Sequence, residues 1–203
     1  MVSTENLSGH EVPLTSFPQL KTWLFDHLPS DVLMPLANAD AGSVRMRLFK
    51  FSVGQSNPTF RIELRHETAV VQLVLRKQPE GKLLPKAHDV AREFRIMTAL
   101  LRTNVPVPRP LLLCQDTDVI GTEFFVSEFV PGRVLTERDL ASVTPLQRRA
   151  WFDEIARVLA AIHSVPLFTP LFTPLFTLLF TPMFTPLFAP SFAPLLPTCL
   201  PFF

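Results

Sequence analysis

FKFSVGQSNPTFRIEL (49–64), VVQLVLRK (70–77) and AHDVAREFRIMTALL (87–101) are the stretches whose reading decides the fold. In the first, two alternating runs flank a turn. Gly54 permits backbone angles that bring consecutive amides near an anion. Gln55, Ser56 and Asn57 add small polar groups, and Pro58 keeps the exit from the turn extended. A phosphate fits such a turn, but an ordinary hairpin turn has the same composition, and the loop alone leaves both readings open.

The second stretch is a nearly continuous apolar run that ends in Arg76 and Lys77. Adjacent side chains of a strand point to opposite faces, so one of these two cations enters the space beside the loop, and the sequence leaves open which. The third stretch predicts a helix over 86–102, with Val90, Phe94, Met97 and Leu101 forming a packing stripe and Glu93 beside it. A strand cation can meet nucleotide phosphates while a helix carboxylate fixes its direction. Solvated surface charges are the plainer account of Arg76, Lys77 and Glu93. The order of loop, cation strand and acidic helix favours the nucleotide reading.

The rest of the pattern predicts an α+β chain. A leading helix spans 16–27 with Leu20, Trp23 and Leu24 inward, and strands run over 44–52, 59–65, 69–76, 110–116 and 122–130. A last helix, 145–163, offers Trp151, Ile155, Val158, Leu159 and Ile162 for burial, with Thr144 as its N-cap.

GQSNPTF (54–60), VLRKQPEGKLLPKAHDVAREFRIM (74–97), NVPVPRPLLLCQDTDVIGTEFFVSEFVPGRVL (104–135) and LAAIHSV (159–165) occur in this order. Together they resemble the aminoglycoside phosphotransferase-like family of small-molecule kinases, and within it the N-terminal kinase domain of acyl-CoA dehydrogenase family members 10 and 11. The resemblance covers about residues 44–165. It implies a protein-kinase-like small lobe, an antiparallel sheet plus one helix, followed by the first helix of a large lobe. It also implies ATP as phosphoryl donor and a hydroxyl acceptor, with hydroxyacyl-CoA suggested by these relatives. Carried over by position, Gly54, Gln55, Ser56 and Asn57 become the phosphate loop, Arg76 the strand cation with Lys77 as its neighbour, and Glu93 the helix partner. In TEFFVSEFVP (122–131), the backbone between Ser127, Glu128 and Val130 corresponds to the hinge that holds adenine.

Beyond the hinge the resemblance implies one Asp loop that orients the acceptor hydroxyl and a second that holds magnesium. Neither is recognisable, and no Asp or Glu follows Glu154. The sequence therefore assigns no catalytic and no metal-binding residue, and holding magnesium would require a lobe that these residues lack. Glu137-Arg138-Asp139-Leu140 resembles a kinase catalytic loop, but it precedes the 145–163 helix instead of following it, and Thr144 stands where a metal-binding Asn belongs. The expectation is a kinase-derived domain that is inactive by itself. The alternative is a non-catalytic nucleotide-binding or scaffolding module.

Organisation follows: an N-terminal segment (1–43), the small lobe and hinge (44–131), the start of a large lobe (132–165) and a repeat (166–203). In the repeat PLFT occurs three times and then drifts, with no charged residue. Proline at nearly every fourth position costs about 3 kcal/mol at each interior helical site, which argues against a membrane-spanning helix. Two readings of the repeat stand, a Phe-rich segment prone to nonspecific apolar association and the translation of a twelve-base tandem repeat. The four-residue period favours the second.

Lys and Arg number 19 against 18 Asp and Glu, so no basic stripe points to nucleic acid or a membrane surface, and a nucleotide small molecule is the expected partner. Cys114 and Cys199 form no disulfide framework, and the polar start MVSTENLSGHEV lacks an apolar signal core. Both features favour an intracellular, non-secreted protein.

Overall fold

The computed structural model describes residues 9–51, 56–81, 88–132 and 143–165. Six antiparallel strands make one sheet: β1 (His10–Val12), β2 (Arg45–Lys50), β3 (Thr59–His66), β4 (Ala69–Lys77), β5 (Pro110–Cys114) and β6 (Phe124–Glu128), in spatial order β1-β2-β3-β4-β6-β5. Helices α1 (Leu20–His27) and α2 (Ser30–Leu33) precede β2, α3 (Val90–Leu100) joins β4 to β5, and α4 (Pro145–His163) follows β6. This α+β arrangement agrees with the expected antiparallel sheet plus helix. The strand β1 and the short α2 had no periodic signal long enough to read.

Strand alternation gives the sheet two different faces. On one face Leu48, Ile62, Leu64, Leu73, Leu75, Phe124 and Val126 are buried, and Phe17, Leu20, Leu24, Leu28 and Leu36 cover them. The Trp23 ring meets Phe124 edge-on at 5.1 Å. Residues 10–36 thus share one core with the strands. On the other face Phe125 meets Phe94 of α3 at 6.2 Å. Consecutive residues Phe124 and Phe125 therefore anchor opposite layers.

Two helix boundaries differ from the periodic expectation for local reasons. The leading helix starts at Leu20 instead of 16, because Phe17 precedes Pro18 and adopts φ −142, ψ 65, outside the helical region. The helix expected over 86–102 begins at Val90, where the Asp89 carboxylate accepts from the Arg92 amide at 2.8 Å. It ends at Leu100, so Leu101, expected in the packing stripe, is 47% exposed, while Val90 and Ala91 are the buried residues.

The last helix has the expected bounds. Thr144 and Gln147 form a reciprocal cap: the Gln147 amide donates to Thr144 Oγ1 at 3.3 Å, and the Thr144 amide to Gln147 Oε1 at 3.1 Å. No residue of α4 is buried, and Ile155, Leu159 and Ile162 are all exposed. The described residues up to His163 belong to one compact unit. The repeat with Cys199 and the 137–140 stretch lie outside the described residues.

Candidate functional site

Arg76 lies on β4 opposite Thr59 of β3 and Phe125 of β6, on the face that carries α3. From there its Nε donates to Glu93 Oε2 at 2.6 Å and its Nη2 to Glu93 Oε1 at 3.4 Å. The third guanidinium nitrogen, Nη1, donates to Thr59 Oγ1 at 3.1 Å. Both charged side chains are about one-third exposed (32% and 34%), so water or a ligand reaches the pair from one side. A guanidinium keeps its charge at all working pH values, and its planar fork can hold a carboxylate while presenting N–H groups elsewhere.

Glu93 is held by a second donor. Asn57 Nδ2 reaches its Oε1 at 2.8 Å, and Asn57 Oδ1 accepts from His88 Nδ1 at 3.0 Å. His88 therefore bears its proton on Nδ1 in this arrangement. Asn57 is 2% exposed, so both ends of its amide are buried and both are satisfied. This differs from the expectation that Asn57 offers its side chain to a ligand: the amide turns inward and braces the ion pair instead. Ser56, one residue earlier, is exposed.

His88 adopts φ 60, the left-handed region, immediately before the Asp89 cap. That conformation aims the imidazole back at the start of β3. Thr59, His88 and Asp89 were not singled out from the sequence. Asp89, just ahead of the apolar stripe, carried a readable cap signal, whereas nothing in the sequence announces the left-handed turn at His88.

Lys77 goes the other way. It is 4% exposed on the α1 side of the sheet, where its Nζ donates to Glu80 Oε1 at 2.8 Å and stands 5.2 Å from the Phe17 ring centroid. The alternation left open in the sequence resolves as Arg76 toward α3 and Lys77 toward Phe17, so Lys77, taken as a nucleotide-site candidate, is separated by the sheet from the Arg76–Glu93 pair.

Ser127 is buried on the Arg76 face, opposite Val74. The amide of Glu128 is already committed to the Arg109 carbonyl at 2.9 Å, which removes it from the candidate hinge donors. Val130 is 58% exposed and lies beyond Leu73↔Glu128, the end pair of the β4–β6 ladder. Gly54 and Gln55 lie outside the described residues.

The sequence matches the model of the phosphotransferase enzyme family over residues 49–187. This chain belongs to that family. The family match runs past residue 165, where the motif resemblance ended, into the repeat. Mouse acyl-CoA dehydrogenase family member 10 is 48% identical to this phosphotransferase-family chain over 122 residues, which are 60% of the chain and 11% of that protein. Mouse acyl-CoA dehydrogenase family member 11 is 38% identical over 165 residues, 81% of the chain and 19% of that protein. The chain thus spans a small part of the curated relatives it matches. Among solved structures, one from Ralstonia eutropha described as an aminoglycoside phosphotransferase superposes with a TM-score of 0.52 at 35% identity, over 74% of this chain and 38% of that one.

Among the described residues no group of three or more His, Cys, Asp or Glu side chains is placed to hold a metal ion. No described helix is long and apolar enough to cross a membrane.

Proposed function

We propose that this chain is the nucleotide-holding part of an ATP-dependent small-molecule kinase and that these 203 residues by themselves do not turn over. The Arg76–Glu93 ion pair carries the reading. It ties the end of β4 to α3, and Asn57, Thr59 and His88 fix its direction before any ligand arrives. That rigidity is what phosphate recognition by one cation requires, because positioning and charge neutralisation supply most of phosphoryl-transfer catalysis.

The residues present fit a nucleotide in part. Arg76 would meet phosphate oxygens, and the backbone past Glu128 would take the base. ATP, when bound, supplies the transferable phosphoryl group. Transfer to a hydroxyl also needs an acceptor for the hydroxyl proton and a site for magnesium. The absence of any Asp or Glu after Glu154 supports assigning neither role to these residues. The relatives' names connect the domain with acyl-CoA metabolism, and we take hydroxyacyl-CoA as the acceptor class of the complete enzyme.

A second reading rests on a separate observation. Four large aliphatic side chains of α4, Leu146, Ile155, Leu159 and Ile162, face solvent, which suits a scaffolding module whose helix waits for a partner. Incubation of the full chain with ATP, magnesium and a 3-hydroxyacyl-CoA separates the outcomes. Phosphorylated product would overturn the inactivity, whereas saturable ATP binding without product supports the reading.

A further inference from the structure

Lys77 raises a question that the nucleotide site leaves open: an ammonium group with 5% side-chain exposure sits on the far face of the sheet, with one carboxylate, Glu80, as its counterion. Burying such a group is costly unless something compensates it. Glu80 is 77% exposed and so is only loosely committed to that role. Lys77 opens into a cavity of about 480 Å³ on the α1 side, which also receives Lys50, His10, Phe17, Phe60 and Ile120. Lys50 has no ion pair among the described residues.

Sheet register shows how the two lysines relate. Lys50 pairs with Phe60 on β3, and the Lys77 amide donates to the Pro58 carbonyl at 3.0 Å. The two lysines therefore flank β3 on one face, two residues out of step, with their Cα atoms ~12 Å apart from strand spacing and rise. Both line the same cavity, and their flexible four-carbon stems let the two ammonium groups adjust to a ligand there. Phe17, Phe60 and Ile120 are all buried and make apolar walls beside the two charges.

We propose that this cavity binds a small amphipathic anion, a carboxylate head between Lys50 and Lys77 with an aliphatic or aryl body against Phe17, Phe60 and Ile120. Its volume lies within the range of small-molecule sites. The two ammonium groups outnumber the single carboxylate, Glu80, among the lining residues. Glu80 occupies Lys77 in the free protein and competes with the ligand. The site is independent of the nucleotide reading, because the sheet separates it from Arg76.

Octanoate is the probe, titrated calorimetrically into the full chain, with octanol as the uncharged body. Saturable octanoate binding is expected, with octanol weaker by about tenfold, the effect of losing one charged hydrogen bond. Lys50→Met is expected to weaken octanoate binding by a similar factor, and Glu80→Gln to tighten it. Lys77→Met should act as Lys50→Met does; if that variant does not fold, the half-exposed Lys50 decides. Equal binding of octanoate and octanol, binding indifferent to Lys50→Met, or no saturable binding would each overturn the proposal.

Discussion

Asn57 Nδ2 donates to Glu93 Oε1 at 2.8 Å across 36 residues of chain, joining the entrance of β3 to the first turn of α3. Glu93 then holds Arg76, and Asn57 also receives the His88 imidazole, so one buried amide links the loop exit, the helix start and the strand cation. The direction of the Arg76 guanidinium therefore depends on a residue that is itself buried.

Asn57→Ala removes a donor to Glu93 and an acceptor for His88 in a buried setting. An unsatisfied buried polar group costs about 1–3 kcal/mol, so urea unfolding should show a loss in that range. ATP affinity should fall with it, because Glu93 no longer fixes the Arg76 guanidinium. A variant as stable as the parent would show that the Asn57 bridge is incidental.

Arg76→Lys keeps the charge and loses the fork. Glu93 and Thr59 are bound by different guanidinium nitrogens, a geometry one ammonium reproduces poorly. ATP binding, followed by titration, should weaken severalfold while the protein stays folded. Unchanged affinity would mean that a point charge suffices at this position.

Acid should loosen the periphery of the sheet before its core. Folding lowers the carboxyl pKa of Glu11 through Arg47, of Asp31 through Arg109 and of Glu80 through Lys77, each chiefly by a direct hydrogen bond, from ordinary values of 4.5, 3.8 and 4.5. A carboxylate depressed by folding contributes stability above its unfolded pKa and loses it as pH falls through the folded value. Stability should therefore be insensitive to these groups at neutral pH and decline as pH drops below about 4.5, by a small amount because all three carboxylates are exposed. Denaturation midpoints from pH 6 to pH 3 check this, and Arg47→Ala should flatten part of the decline.

The exposed face of α4 should drive self-association. Ile155 is 61% and Leu159 50% exposed along a shallow apolar groove that also includes Val158 and Ile162. Ile155→Glu with Leu159→Glu should lower the weight-average mass in sedimentation or light scattering. An unchanged mass would place the association elsewhere.

Much of this arrangement was legible because its signals are local. The alternation of 59–65, the apolar run of 69–76, the extent of the 145–163 helix and its Thr144 cap all reappear, since each is set by residues near one another within one element. The choice between Arg76 and Lys77 was not legible, because both faces of β4 are covered and an apolar run carries no marker of sidedness. It was set by Phe17 and α1, more than fifty residues upstream, which claim the Lys77 face. The inward turn of Asn57 was hidden for a similar reason: the same amide suits a phosphate turn or a buried clamp, and His88 in a left-handed conformation selects the clamp.

Calorimetric titration of ATP into the full chain and into Arg76→Ala tests the central claim most directly. Saturable binding to the parent is expected, with affinity for the variant lower by about tenfold or more, the worth of a charge-assisted hydrogen bond. Equal affinity in both proteins, or no binding to the parent, would contradict the assignment of the Arg76–Glu93 pair to nucleotide phosphates.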